Sequence, residues 1–229
     1  MIYLIPSLLA ADAVETIPAY ILSAIKNCQV IFAENERTAR RFLKKLDKEI
    51  VIDNFEWYAI RKAEEAQIKI FVQKIKEEKN IAIISEAGCP GIADPGQLLI
   101  AAAQKMNVLI KPLVGPSSIL LALMASGLNG QHFIFHGYLP IEQAARIKKI
   151  KQLEEESLKR KCTQIFIETP YRNDHLLKDI LHTCNHDTQL CIASELTSSA
   201  EWIKTKSIAE WKKQILVLNK KPVIFLLLA

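Results

Sequence analysis

Three observations predict an α/β fold for this chain of 229 residues. Apolar runs of strand length recur from end to end. Amphipathic stretches of helix length fill most of the gaps between them. Several of the joins are rich in Gly and Pro. Alternation of this kind builds largely parallel sheets covered by helices. At 50% hydrophobic residues the chain can bury one large core or two smaller ones.

Residues 2–5 open the chain as a strand, and helical periodicity follows at 13–26. A strand at 29–33 leads into a helix at 36–46, and a short apolar run at 50–52 leads into a helix at 59–78. Strand 81–85 precedes helix 97–105, and strand 108–112 precedes helix 117–125. The style changes near 113–116, after which helices are longer and more charged and antiparallel strands are expected. The order there is strand 133–137, helix 142–161, strand 163–168, helix 173–184, strand 189–194, helix 207–216 and strand 223–228. The expected domains are 1–113 and 114–229, both α/β, with mixed, largely parallel sheets. No internal repeat of fixed period is visible.

Composition excludes several classes. Charged residues at 24% and aromatics at 7% argue against disorder. The longest clean apolar runs, 119–125 and 223–229, are far too short to span a bilayer. The start MIYLIPSLLAAD lacks the basic region of a signal peptide and reads as a strand running into a turn. The net charge of +5 permits an anionic partner without demanding one. Cys28, Cys89, Cys162, Cys184 and Cys191 are scattered and form no CxxC pair, which points to a reduced, cytoplasmic protein. His182, Cys184 and His186 lie close together at the end of an expected helix, but no second ligand group stands at zinc spacing, so no metal is expected.

The unusual stretch is SEAGCPGIADPG at 85–96, between an expected strand and an expected helix. Ligands of open α/β sheets bind beyond the carboxyl ends of the strands, and a Gly/Pro loop there lets a ligand approach the backbone closely. The stretch matches neither phosphate-binding glycine motif, has no lysine, and its prolines remove backbone donors. A cofactor without a phosphate group fits it better. Asp94-Pro-Gly is equally a turn and helix cap. The loop LVGPSS at 113–118 offers a helix cap at Ser117 or Ser118 and small residues that leave room for a flat ring such as adenine. In ETPYR at 168–172, Tyr171 and Arg172 are placed to touch a substrate or to hold a domain interface.

Taken in order, IAIISEAGCPGIADPGQLLIAAA, PLVGPSSILLALMASGL, FIFHGYLP, IFIETPYR, IASELT and KPVIFLLL resemble the tetrapyrrole-methylase-like (class III) methyltransferases. The resemblance runs from Ile2 to the last strand. The nearest branch is the cytidine 2'-O-methyltransferases of small-subunit ribosomal RNA. The resemblance implies two α/β domains, S-adenosyl-L-methionine folded into a cleft between them, and a homodimer. It places cofactor contacts at Pro6, Cys89, Ile92, Ala93, Ser118, Ile119, Met124, Ala125, Ile167, Leu196, Pro222 and Val223, with close approach at Gly88, Gly91 and Gly115. Four features depart from the branch. The Gly-Asn turn after the first strand is replaced by PSLLAA at 6–11. Asn35 stands where the branch has an acidic residue, Cys89 where it has threonine or aspartate, and FEWY at 55–58 where it is His-rich. The branch also carries a further C-terminal helical segment beyond the residues here.

Methyl transfer is an in-line displacement, so the protein must align the nucleophile and exclude water. A ribose hydroxyl also gains from a general base. Candidates are Glu34, Glu86 and Asp94, whose plainer roles are helix capping for Glu34 and Asp94 and an interdomain hydrogen bond for Glu86. Arg37 would bind an anionic substrate or pair with a neighbouring acid. The expected activity is S-adenosylmethionine-dependent methylation of RNA, at a ribose of ribosomal RNA. Alternatives are the same chemistry on a tetrapyrrole, another small molecule or a protein, or cofactor or RNA binding without turnover.

Overall fold

A computed structural model describes residues 1–60 and 64–229 of the chain. They form two compact units, Met1–Ser117 and Ser118–Ala229.

Unit 1 holds strands β1 (Ile2–Ile5), β2 (Val30–Ala33), β3 (Glu56–Ala59), β4 (Ile81–Ile84) and β5 (Ile110–Pro112) in the order β3-β2-β4-β1-β5. Every neighbouring pair is parallel. Side chains alternate across a strand. Val30 and Phe32 therefore enter one core with Phe71, Ile81, Ile83 and Leu99. Ile31 and Ala33 enter the opposite core with Ile21, Ile25, Phe42 and Leu43. Helices α1 (Tyr20–Lys26) and α2 (Glu36–Leu46) supply one face, and α3 (Glu64–Lys76) and α4 (Gln97–Lys105) the other. Burial on both faces is why VIFA and IAII read as unbroken apolar runs.

The winding direction changes beside β1, which has β4 on one side and β5 on the other. The loops that leave β1, β2, β4 and β5 consequently open on the same edge of the sheet, the edge where α/β sheets bind ligands.

Unit 2 holds α5 (Ser118–Ser126), β6 (Phe133–Tyr138), α6 (Gln143–Arg160), β7 (Thr163–Ile167), α7 (Asn173–Thr183), β8 (Gln189–Ser194), β9 (Trp202–Ser207), α8 (Ile208–Trp211) and β10 (Val223–Leu228). The strand order is β6-β7-β10-β8-β9. β6 and β7 are parallel and the other pairs antiparallel. Phe166 and Phe225 stack with ring centroids 5.9 Å apart in its core. The buried Trp211 indole donates to Leu190 O at 2.8 Å. The Arg146–Asp179 pair, 2.6 Å apart and buried on both sides, ties α6 to α7.

Four expected elements differ from the structure, and one strand, β9, is additional. The helix expected at 13–26 is a 3-10 turn at Val14–Thr16 followed by α1, because Pro18 interrupts it. The strand expected at 50–52 lies instead at Glu56–Ala59, paired in parallel with β2. Ile52–Asn54 is a 3-10 turn whose Ile52 carbonyl accepts from the Trp57 indole at 3.0 Å. The helix expected at 59–78 gives Ala59 to β3 and is observed as α3; residues 61–63 of that expectation lie outside the described residues. The helix expected at 207–216 is the four-residue α8, with a Ser207–Glu210 capping box, and β9 before it was not expected. No helix among the described residues is long and apolar enough to cross a membrane.

Candidate functional site

Loop 85–96 leaves β4 and is tied down at its start. Ser7 and Gly88 form an antiparallel bridge, with Ser7 N–H to Gly88 O at 2.9 Å and Gly88 N–H to Ser7 O at 3.2 Å. The buried Ser7 hydroxyl donates to Ser85 O at 2.9 Å, and the buried Ser85 hydroxyl lies 3.3 Å from Gly88 O. The Cys89 thiol faces Pro116 O at 3.5 Å. Ile92 and Ala93 are exposed at the tip. Gly91 has φ +77°, and a Cβ there would lie 2.9 Å from Ile100 Cδ1. At Gly115 a Cβ would lie 2.2 Å from Pro6 Cγ, so only glycine lets the loop after β5 rest on the loop after β1.

Three carboxylates gather on this edge. Glu34, just after β2, accepts a hydrogen bond from the Glu86 backbone N–H at 3.0 Å. The Glu86 carboxylate accepts from Asn35 Nδ2 at 2.9 Å and Thr38 Oγ1 at 3.2 Å. Asn35 also caps α2, its Oδ1 accepting from the Arg37 and Thr38 backbone N–H groups. Burial pushes the Asp94 carboxyl up to about 7; the charges of Glu34 and Glu86 push the same way, and a hydrogen bond from Ser85 works against them. Burial also raises Glu34, reinforced by the charge of Glu86 and opposed by the Glu86 N–H. The result is a carboxyl that exchanges a proton near neutrality, the property a general base needs.

Beside the acids lies an open cavity of about 700 Å³ lined by Glu34, Asn35, Glu36, Arg37, Arg40, Arg41 and Ala59. The Arg40 guanidinium sits 4.7 Å from the Trp57 ring centroid and 3.5 Å from Glu36.

In unit 2, Ser118 and Ile119 open α5, and Met124 and Ala125 lie exposed on its last turn. Ile167 ends β7 opposite Ile224, and Val223 opens β10 opposite Ser194. Glu195 N–H donates to Pro222 O at 3.0 Å, and Leu196 is buried. Ile167, Leu196, Pro222 and Val223 thus share one end of the unit 2 sheet, while Met124 and Ala125 close a helix that packs on β8, β9 and β10. The same strand ends carry buried polar atoms without a hydrogen-bond partner: Glu168 Oε2, Asn173 Oδ1 and Ser194 Oγ. Unpaired buried acceptors are costly, about 1–3 kcal/mol each, so this end suits a ligand that brings donors. Arg172 holds the corner, its Nη2 and Nε donating to Glu168 Oε1 at 2.6 and 3.0 Å. Tyr171 is exposed. No cluster of three or more metal-ligating side chains occurs among the described residues.

A family model described as Tetrapyrrole (Corrin/Porphyrin) Methylases matches residues 12–211. The chain belongs to that family. Ribosomal RNA small subunit methyltransferase I of Buchnera aphidicola subsp. Schizaphis graminum is 31% identical over 196 residues, covering 84% of this chain and 66% of the relative. The protein of that name from Vibrio cholerae serotype O1 is 37% identical over 147 residues, covering 64% of this chain and 50% of the relative. The chain therefore spans half to two thirds of the length of these relatives. A crystal structure of uroporphyrin-III C-methyl transferase from Thermus thermophilus, complexed with S-adenyl homocysteine, matches with TM-score 0.57 at 13% identity, covering 99% of this chain and 96% of that one. That likeness shows the fold.

Sequence reasoning about this chain passes over Ser7, Ser85, Arg40, Arg41, Asn173 and Ser194. The role of Ser7 and Ser85 exists only once β1 and β4 are neighbours. The arginines were legible as a basic stretch, ERTARR, next to a strand end.

Proposed function

We propose that the chain is an S-adenosylmethionine-dependent methyltransferase acting on RNA, at a cytidine ribose 2'-hydroxyl of the small ribosomal subunit. The observation that carries this reading is the acid cluster on the carboxyl edge of a parallel sheet, with Asp94 held near neutrality, next to an arginine-lined cavity. The names of the relatives support ribosomal RNA as the acceptor, and the S-adenyl homocysteine bound in a structure of the same fold supports the cofactor.

The residues fit the cofactor. Its phosphate-free structure matches a loop without lysine and with two prolines. Gly88, Gly91 and Gly115 let the loops pack closely on Leu9, Ile100 and Pro6, which shapes the edge where an adenosine would lie, and the unpaired polar atoms of Glu168, Asn173 and Ser194 suit its amine and hydroxyl groups. Contacts are assigned to Pro6, Cys89, Ile92 and Ala93 in unit 1. In unit 2 they are assigned to Ser118, Ile119, Met124, Ala125, Ile167, Leu196, Pro222 and Val223. When bound, the cofactor supplies a sulfonium-activated methyl group.

The chain's own residues do the rest. Asp94 takes the proton of the attacking hydroxyl; its near-neutral pKa lets it be ionised before the reaction and protonated after it. Burial keeps it there, and the charges of Glu34 and Glu86 add to the effect. The Ser7–Gly88 bridge and the Glu34–Glu86 hydrogen bond hold the loop still, which preserves alignment. Arg37 holds the anionic acceptor, and Tyr171 and Arg172 border the unit 2 end. The protein is read as a cytoplasmic homodimer, and its five free cysteines fit a reducing compartment.

A second reading, methylation of an anionic tetrapyrrole, is favoured by the same arginines, which would also take carboxylates. Incubation with methyl-labelled cofactor and unmethylated small subunits, beside a panel of tetrapyrroles, separates the two. Label in RNA supports the first, label in a tetrapyrrole the second, and cofactor binding without transfer to either contradicts both.

A further inference from the structure

We infer that α2 is an RNA-docking ridge. Its basic face leads the phosphate backbone of the acceptor strand into the cavity at Arg37, Arg40 and Arg41. This rests on the RNA reading above and deepens it.

The helix has two chemically opposite faces. Ala39, Phe42 and Leu43 are buried in the unit 1 core. Arg37, Arg41, Lys44 and Lys45, at i, i+4, i+7 and i+8, lie exposed on the other side, and Lys48 follows just past the helix end. Its acids are already spent locally. Glu36 pairs with Arg40, and Asp47 with Lys26 at 2.8 Å. Arg37 and Arg41 have no ion-pair partner among the described residues, so their charge faces solvent uncompensated. Lys44 and Lys45 rest on backbone carbonyls, Lys48 O at 2.8 Å and Ala11 O at 2.6 Å, which orients them without neutralising them.

A solvated helix normally mixes signs. α6 does so: Glu155 and Glu156 lie between Lys148, Lys149 and Lys151 on one side and Lys159 on the other, and Arg160 pairs with Glu156 at 3.4 Å. α2 has one unbalanced sign and a direction. Its 11 residues extend roughly 16 Å, and its N-terminal end meets the cavity that Glu34 also lines. A strand lying along this face would place successive phosphates against the basic side chains and bring a ribose to the acids. Arg40, which lines the cavity, lies over the Trp57 ring at 4.7 Å from its centroid.

The test is RNA binding as a function of salt, using unmethylated small-subunit RNA, on three proteins: wild type, Arg41→Gln/Lys44→Gln/Lys45→Gln in α2, and Lys148→Gln/Lys151→Gln/Lys159→Gln in α6. Both triple variants lose the same charge, and thermal melts verify their folding. The α2 variant should bind about tenfold more weakly at physiological salt, with a log–log salt slope shallower by about three, while the α6 variant keeps the wild-type slope. If the α2 variant does not fold, Arg41→Gln alone should still lower the slope by about one. Wild-type affinity and slope in the α2 variant, or equal losses in both variants, would overturn the docking ridge and leave the methyltransferase reading standing. No RNA binding by the wild type would overturn both.

Discussion

The Glu34 carboxylate accepts a 3.0 Å hydrogen bond from the Glu86 backbone N–H, joining the loop after β2 to the loop after β4. The same carboxylate helps hold Asp94 near 7. One side chain therefore both anchors the loop that carries the proposed base and adds to the burial that raises its pKa. Glu34→Gln keeps a carbonyl acceptor for the N–H and removes the charge. With less repulsion Asp94 ionises more readily, so the midpoint of the pH–rate profile should move below that of wild type. A midpoint that stays in place or rises would contradict this arrangement.

Asp94 also leaves a signature in stability. Its carboxyl is raised from 3.8 to about 7 on folding, chiefly by burial. The folded state then binds more protons than the unfolded state between those values, so this group lowers stability as pH rises through that window. Asp94→Asn removes the penalty. It should melt higher than wild type above about pH 7 and equally at about pH 4, while methyl transfer falls about a hundredfold or more. Equal melting at both pH values would show that Asp94 is not perturbed.

Gly115→Ala would drive a methyl group to within 2.2 Å of Pro6 Cγ. Overpacking of this kind costs about 2 kcal/mol. Urea denaturation should show that loss, and Pro6→Gly/Gly115→Ala should recover part of it relative to the sum of the single variants. Simple additivity would mean that the two loops do not press on each other.

Arg172→Met would strand Glu168, whose side chain is 1% exposed, with the Thr169 N–H at 2.6 Å as its remaining donor. Breaking such a pair from one side costs about 3 kcal/mol. Glu168→Gln/Arg172→Met should be closer to wild type than the single variant by chemical denaturation. A single variant as stable as wild type would remove Arg172 from the corner.

Parallel strands were readable where both faces are buried: β2 and β4 show it in VIFA and IAII. β3 was misplaced because the apolar run at 50–52 looked stronger than EWYA, whose strand character comes from its pairing with β2. β9 is not legible in the sequence because its lysines mask an alternation that only the neighbour β8 makes useful. The Gly/Pro loop and the acids Glu34, Glu86 and Asp94 could be named from residue type and position. Their coupling could not, since residues 34, 86 and 94 meet because β2 lies beside β4 in the sheet, which no local pattern encodes. The unpaired Ser194 and Asn173 were invisible for the same reason: burial without a partner is a property of the packed chain.

Nucleoside analysis of small-subunit RNA after reaction with methyl-labelled cofactor tests the central claim most directly. The account expects the label in 2'-O-methylcytidine, dependent on Asp94 and lost in Asp94→Asn. Label on a base, or none in RNA from a protein that binds the cofactor, would contradict it.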